Sequence, residues 1–475
     1  MPSFVEFFAG GGFARLGLGA AWKCVLANDD CPKKAATYRA NFGEDDLKLQ
    51  DVRTLEPADI PLADLWWASF PCQDHSSAGN RAGFAGDRGS LVFEITRLLE
   101  AAITAGTAPK IVAMENVTGF VRANDGRDFT SVMTALVSAG YRVGALMMDA
   151  RDFVPQARER MILVAVRGGT HPADILARPR HDARWHTKAL VKAVAGLPPG
   201  VRKNCVWWSL PVPTPHGSRI DDVLDVPGGA DQRWLPPAKI AEMMTKVTGR
   251  DAVRLEEARR AGRPFAATTS GTRRDTVAGS VRVRTIRTDG RSGCLLTRAT
   301  TNRQQLMVIE GADVGIRNFT SRELARLIGV PADYCLPRSM PQTVRLMGDG
   351  VVVPAVRWLA GTLLEPLLAE GADAAGRPRK EVNHPGFKRV ARQRKTPVVA
   401  PRAGIKRSTV ATTAYFLPEE MERLHAVAAE MGVKLHELMI IGLDAVLARQ
   451  GKQPVRRYGA ERYRVGDRPR STAST

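Results

Sequence analysis

The stretch VEFFAGGGFARLG, residues 5 to 17, decides how this chain is read. An apolar run from Phe4 to Phe8 has the length of a strand, three glycines at 10 to 12 make a turn, and ARLG starts a helix-like segment. A second apolar run, Cys24 to Ala27, ends at Asn28, Asp29 and Asp30, and the helix-like KKAATYRANF follows. Strand, glycine turn, helix, strand is the order of a βαβ unit and implies a parallel sheet. The rhythm continues through LADLWWASF, KIVAMENV, YRVGALMMDA and MILVAVR, with SLVFEITRLLEAAI and FTSVMTALVSAG between them as helices. Up to about Arg167 the pattern is that of one doubly wound α/β domain.

The glycine turn lies between the first strand and the first helix, where a small residue lets a ligand approach the backbone. Asp29, at the end of the next strand, stands where a carboxylate accepts hydrogen bonds from ribose hydroxyls, and Asp51 follows the next strand position. A nucleoside-bearing cofactor is the natural reading. The G-x-x-x-x-G-K-[ST] phosphate cradle is absent, which counts against ATP and GTP.

Composition narrows the partners. The 475 residues carry 69 Lys and Arg against 49 Asp and Glu, a formal charge of +20. Such a surface steers anions, with nucleic acid ahead of acidic membrane. No window approaches the apolar length that spans a bilayer, and MPSFVEFFAGGG lacks the features of a signal peptide, so a cytoplasmic protein without a membrane partner is expected. The six cysteines show no C-x-x-C pair, so neither a disulfide framework nor a metal site is expected.

Beyond residue 168 the texture changes to prolines, tryptophans, arginines and short β-branched pieces, as in CVWWSLPVPTPHG and SVRVRTIRTDGRSGCLLT. Residues 169–316 are read as a second, irregular and partly β domain, and 317–370 as a helical return to the first. NFTSRELARLIGV there has a Thr/Ser start and apolar residues at helical spacing. Residues 371–407 read as a basic linker, 408–452 as a strand followed by two amphipathic helices, and 453–475 as a disordered basic tail. From Gly371 onward there are 21 Lys and Arg against 10 Asp and Glu, so this part carries over half of the net charge.

Three polar sets lie just beyond apolar runs. Cys72 follows LWWASFP, Glu115 and Asn116 follow KIVAM, and Gln156, Arg158 and Arg160 sit in VPQARER before MILVAVR. In open α/β sheets reactive groups collect outside the carboxyl ends of the strands, so Cys72 and Glu115 are expected to be neighbours. The guanidinium groups favour a nucleophilic thiolate, and the acid suits protonation of an electron-poor ring.

FPCQ, ENV and Q-x-R-x-R, in this order and spacing, resemble the DNA cytosine-5 methyltransferases. FFAGGG is similar to that family's cofactor glycine motif, RNFTSRELARLIGVP to the helix after its target-recognition region, and GDGVVVPAVRWLA to its closing cofactor motif. The resemblance covers roughly residues 3 to 368. It implies a Rossmann-like S-adenosylmethionine-dependent fold with helices on both faces of the sheet. Double-stranded DNA is the implied substrate, with a flipped cytosine attacked by Cys72 and supported by Glu115, Arg158 and Arg160. By the same resemblance Phe8, Gly10, Gly12, Asp29, Asp51, Val52 and Asp349 contact S-adenosyl-L-methionine, and Pro71, Gln73, Ser76, Asn116 and Gln156 contact the base. The loop DHSSAGNRAGFAGDRGS would close over it.

Four positions depart from the family pattern: Glu6 stands where Asp is usual, Phe13 in place of a glycine, Asp30 in place of an aromatic, and Asp349 in place of Asn. The C-terminal LPEEMERLHAVAAEMGVKLHELMIIGLDAVL resembles a ribbon-helix-helix module, which implies a homodimer through residues 408–452. Methylation of RNA cytosine, or regulation through the C-terminal module, are the alternatives. The long 169–316 segment speaks for DNA over the compact RNA-methylating branch, and the restriction-modification setting or a solitary enzyme both fit a prokaryotic or phage chain.

Overall fold

In the computed structural model, residues 1–71, 91–167, 176–226, 228, 232, 234–275, 279–297, 304–373, 424 and 426–431 are described. The chain divides into two units, Met1–Lys380 and Glu381–Thr475. In the second, residues 426–430 are helical and Ala428 is buried. The ribbon-like strand, the second helix and the basic tail lie outside the described residues, as does most of the linker.

The first unit is built on a seven-stranded sheet. Its elements run β1 (Ser3–Phe7), α1 (Phe13–Leu18), β2 (Lys23–Asp29), α2 (Pro32–Phe42), β3 (Leu47–Leu49), β4 (Leu65–Ser69), α3 (Leu91–Thr104), β5 (Ile111–Val117), α4 (Arg127–Ser138), β6 (Tyr141–Asp149) and β7 (Glu159–Arg167). The spatial order is β3-β2-β1-β4-β5-β7-β6. The first five strands are parallel, as the alternating rhythm predicts. The last two are not: β7 runs antiparallel to both β5 and β6 and sits between them. Only residues 150–158 separate β6 from β7, too short a connection for a parallel crossover, which takes a dozen or more residues.

Strand alternation sorts the two faces. Val5, Phe7, Trp66, Ala68, Val112, Met114, Leu163 and Ala165 pack with α3 and α4 on one side. Phe4, Ala27, Trp67, Ala113, Leu146 and Val164 face the other, where residues of α1 and of the C-terminal helices cover them. Four polar candidates carried by strands of the sheet belong to this second face: Glu6 follows Phe4, Asp29 follows Ala27, Glu115 follows Ala113, and Arg160 precedes Ile162 by two, whereas Asn116, two past Met114, belongs to the first.

After the sheet come β8 (Ala177–Arg178), α5 (Lys188–Ala195), α6 (Pro199–Arg202), β9 (Trp207–Trp208), α7 (Pro237–Met244) and α8 (Arg250–Arg260). A second sheet follows, with β10 (Phe265–Asp275), β11 (Gly279–Arg287), β12 (Gln305–Glu310) and β13 (Asp313–Asn318) in the antiparallel order β11-β10-β12-β13. It has its own small core of Met243, Leu255, Ala266, Ile286, Met307 and Ile316.

The chain then returns through α9 (Ser321–Arg326), α10 (Met340–Asp349), α11 (Val353–Leu359) and α12 (Glu365–Asp373). The run Met340–Ala369 is long and apolar enough to cross a membrane by length and composition, which corrects the expectation that no window approaches that length. Its apolar side chains have another use: Val344, Leu346, Met347, Val356, Leu359, Leu363 and Leu364 are buried in the core on the second face of the sheet.

One ion pair joins the second sheet to the returning helices. Thr320 caps α9 and Glu323 closes the capping box, its carboxylate accepting from the Thr320 backbone N–H at 2.8 Å. The same carboxylate takes both arms of Arg317 from β13 at 2.7 Å, with the two side chains 3% and 0% exposed, and accepts from the Asp225 N–H. Removing one partner leaves a buried guanidinium uncompensated. Glu323→Ala is therefore expected to lower the unfolding free energy by about 3–5 kcal/mol in urea titration, whereas breaking an exposed pair such as Lys239–Glu242 should leave it nearly unchanged.

Candidate active site

The glycine turn is shaped by left-handed backbone. Phe8, Gly10 and Gly12 have φ of 58°, 59° and 73°. A side chain at Gly12 would lie 2.4 Å from the Phe42 ring of α2, so both its conformation and its surroundings require glycine. Phe8 holds the same region of φ without that freedom, a strained setting of the kind kept at ligand sites. Asp29, 6% exposed, braces the turn: Oδ2 accepts from the Gly10 N–H at 2.8 Å and Oδ1 from the Cys31 N–H at 2.9 Å. Burial pushes its carboxyl above the usual range, against Lys34 and those two N–H groups. Asn28 beside it donates to the Lys48 and Gln50 carbonyls and sets the end of β3. Asp51 then caps a short turn containing the buried Val52 and pairs with Arg53 at 2.6 Å.

The C-terminal helices close this turn. Tyr334 donates its hydroxyl to the Gly11 carbonyl at 2.6 Å. Phe13 packs on the Tyr334 ring and fills the space beside Gly350, where an added Cβ would stand 2.3 Å from the Phe13 ring. The phenylalanine that departs from the family pattern thus has a matching vacancy in the closing motif. Asp349 makes an ion pair with Lys34 at 2.8 Å. Neither Lys34 nor Tyr334 was singled out from the sequence; the signal available for Lys34 was the unusual carboxylate at 349.

Beneath the turn, Glu6 is 3% exposed and its Oε2 has no hydrogen-bond partner among the described residues. Burial pushes its carboxyl up to about 8, against Arg15 and the backbone N–H groups of Arg15 and Ala14.

On the same face, the pairing of β5 with β7 brings Glu115 and Arg160 together. Val117 lies opposite Arg160 in the register, and Arg160 Nε reaches Glu115 Oε1 at 2.9 Å. The pair opens on a cavity with about 410 Å³ of empty space, walled by Trp67, Met148, Ile162 and Val352 among others. Asn116, 1% exposed, donates to the Phe70 carbonyl at 3.2 Å and so ties the end of β5 to the turn that leads through Pro71 into Cys72. Cys72, Gln73, Ser76 and the loop behind them lie outside the described residues.

Arg158 and Gln156 are placed differently. Arg158 also lines the cavity, but its guanidinium donates to the carbonyls of Leu295, Gly348 and Gly350 at 2.9–3.1 Å and contacts the Cys294 sulfur. Burial first, and Arg160 second, pull its pKa below the usual arginine range. Gln156 is fully buried, donating to the Leu327 carbonyl and accepting from the Leu295 N–H. Both side chains hold segments of backbone together. Among the described residues no group of three His, Cys, Asp or Glu could hold a metal.

The model of the C-5 cytosine-specific DNA methylases matches residues 2–365. The chain belongs to that family. Among similar proteins, the Type II methyltransferase M.BsuFI of Bacillus subtilis is 29% identical over 376 residues, covering 77% of this chain and 73% of that one. Type II methyltransferase M.NlaX of Neisseria lactamica is 27% identical over 373 residues, covering 78% and 98%. In fold the chain is similar to the Entamoeba histolytica methyltransferase EhMeth, with a TM-score of 0.54, 15% identity, and coverage of 78% and 98%. This C-5 cytosine methylase is a DNA cytosine-5 methyltransferase that depends on S-adenosylmethionine. The open space at Gly10, where an added Cβ would meet only Lys34 and its own Phe8 carbonyl near 4 Å, and the carboxylate at the end of β2 fit a nucleoside-bearing cofactor.

Glu6 gives the methylase a pH signature. Its folded pKa of about 8 exceeds the ordinary 4.5, so the neutral form is the one folding favours. The stability it leaves intact below about pH 4.5 is lost as pH rises through 8. Glu6→Gln keeps the neutral shape, so its advantage over the parent in unfolding free energy is expected to grow from pH 5 to 8 and then level off. A constant difference across that range would contradict the assignment.

Proposed function

We propose that the catalytic domain is formed by residues 1–168 and 317–370 and that residues 169–316 select the DNA sequence. The antiparallel sheet β10–β13, with arginines on β10 and β11, supports this division. The Type II methyltransferases it resembles favour a modification enzyme, paired with a restriction enzyme or solitary, acting on DNA in the cytoplasm of a prokaryotic cell.

The observation that carries the chemistry is the Glu115–Arg160 pair on the site-bearing face, beside the Phe70 carbonyl held by Asn116. Cys72 adds as the thiolate to C6 of a flipped cytosine, and the C5–C6 π electrons move into the ring toward N3. Arg160 fixes Glu115 Oε1, leaving Oε2 for N3 and the exocyclic amine. C5 thereby becomes nucleophilic. Bound S-adenosylmethionine supplies an electrophilic methyl group there. Loss of the C5 proton to solvent then restores the double bond as the S–C6 bond breaks and frees the thiolate. Arg158 and Gln156 act by fixing the backbone around this pocket. Phe8, Gly10, Gly12, Asp29, Asp51, Val52 and Asp349 are assigned to the cofactor, and Pro71, Gln73, Ser76 and Asn116 to the base.

Cys72→Ala is expected to abolish both methyl transfer and covalent trapping by DNA containing 5-fluorocytosine. Glu115→Gln should lower kcat by about 10²- to 10⁴-fold while leaving cofactor affinity unchanged in calorimetry. Retained trapping by Cys72→Ala would remove that residue as the nucleophile.

Residues 408–452 are proposed to pair two chains. Deleting residues 404–475 should then reduce the sedimentation coefficient and weaken salt-dependent DNA binding, with the methyl-transfer rate on saturating DNA preserved. Unchanged sedimentation would sink the dimer.

A further inference from the structure

Residues 290–295 form a strip stitched to the residues just ahead of β7. The Ser292 N–H donates to the Pro155 carbonyl at 2.8 Å, and the Ser292 carbonyl accepts from the Ala157 N–H at 2.9 Å. Gln156 accepts from the Leu295 N–H, and Arg158 donates to the Leu295 carbonyl. Since Arg158 lines the same cavity as Glu115 and Arg160, the strip borders that cavity. Arg291 is its second residue. The side chain is partly exposed, but its Nε is buried with no hydrogen-bond partner, and its guanidinium forms no ion pair among the described residues. A second guanidinium reaches the strip from another segment. Ile220 donates its N–H to the Gly290 carbonyl at 2.7 Å, which draws Arg219 against the strip. A Cβ on Gly290 would stand 2.8–3.0 Å from the Arg219 guanidinium, and the φ of 72° is left-handed besides, so this close approach requires glycine. Among the described residues Arg219 has one carboxylate near it, Asp221 at 3.8 Å, with the two side chains 49% and 37% exposed.

Two guanidinium-bearing side chains thus meet at residues 290 and 291 with one distant carboxylate between them. Like charges this close repel, and a buried Nε without a partner adds a desolvation cost. Guanidinium forks match phosphate oxygens bidentately, so one phosphodiester would relieve both. Resting on the base pocket proposed above, we propose that Arg291 and Arg219 grip one backbone phosphate of the duplex beside the target cytosine. The anion supplies the counter-charge that the described residues lack. Because a phosphate is the same at every sequence, this clamp fixes the strand at the cavity and leaves discrimination between bases to other residues.

The test uses the full chain and a duplex bearing one target site, located by bisulfite sequencing of DNA that the chain has methylated. Arg291→Gln is expected to weaken binding about 10- to 100-fold, the loss of a charge-assisted contact, and to reduce the salt slope of log Kd by about 1. Affinity for S-adenosylmethionine and the ratio of target to non-target binding should stay within about 2-fold of the parent, since a phosphate contact weakens all sequences alike. Arg291→Lys, which keeps the charge, should restore the salt slope. Uncharged methylphosphonate linkages, placed one at a time around the target cytosine, decide the contact. At one linkage the parent should lose affinity, whereas Arg291→Gln should lose less than about 2-fold further, because the interaction is already gone. Arg219→Gln, at an exposed side chain, carries the same cycle if Arg291→Gln fails to fold. Losses from the substitutions and from every methylphosphonate that simply add would overturn the clamp. A loss confined to one base-pair identity would overturn it too, by making Arg291 a reader of bases. A parent that fails to bind its own methylated site would take the base-pocket reading down as well.

Discussion

The Tyr334 hydroxyl holds the Gly11 carbonyl at 2.6 Å, and on that bond depends the joining of the first and last parts of the site. The glycine turn presents its backbone to a ligand only because something else occupies the far side. Tyr334 and Phe13 fill that side, Gly350 leaves room for the Phe13 ring, and Asn41 bonds both the Cys335 N–H and its carbonyl to seal the edge. Residues 294 and 323 positions apart in sequence are thus bound into one wall. The excursion between them, which includes the second sheet, leaves from this framework and returns to it.

Polarity inside the framework follows one rule. Glu6, Asp29, Glu115 and Arg160 project from the same face of the sheet, the face that the returning helices cover, so each loses solvent and needs a partner. Asp29 has two N–H groups, Glu115 has Arg160, and Arg158 has three carbonyls. Glu6 is the exception, with an oxygen lacking a partner among the described residues, and burial accordingly drives it toward the neutral form. Unequal compensation is what distinguishes groups that merely hold the fold from groups poised for chemistry.

Two of the four departures from the family pattern find partners across the same wall. Phe13 faces Gly350, and Asp349 faces Lys34. Each departure alone would leave a clash or an unbalanced charge. The missing Cβ at Gly350 admits the Phe13 ring and Lys34 neutralises Asp349, so the glycine turn keeps its shape.

Much of this was legible in sequence because it rests on local chemistry. Strand length, glycine turn and helix spacing in residues 4–42 specify the βαβ start, and the period of two places Glu115 and Arg160 at the ends of apolar runs. The antiparallel insertion of β7 was not legible as topology, although the short connection before it carried the reason. The roles of the two arginines were not legible either: they are two residues apart, Arg158 just before β7 and Arg160 within it, yet one meets backbone carbonyls contributed by residues 295, 348 and 350 and the other a carboxylate. Sequence by itself determined which chemical groups this protein has and which strand ends carry them, since those follow from composition and period. Tertiary structure alone decided which group faces which, because partners such as Lys34 and Asp349 meet only when the last helices pack onto the first turn.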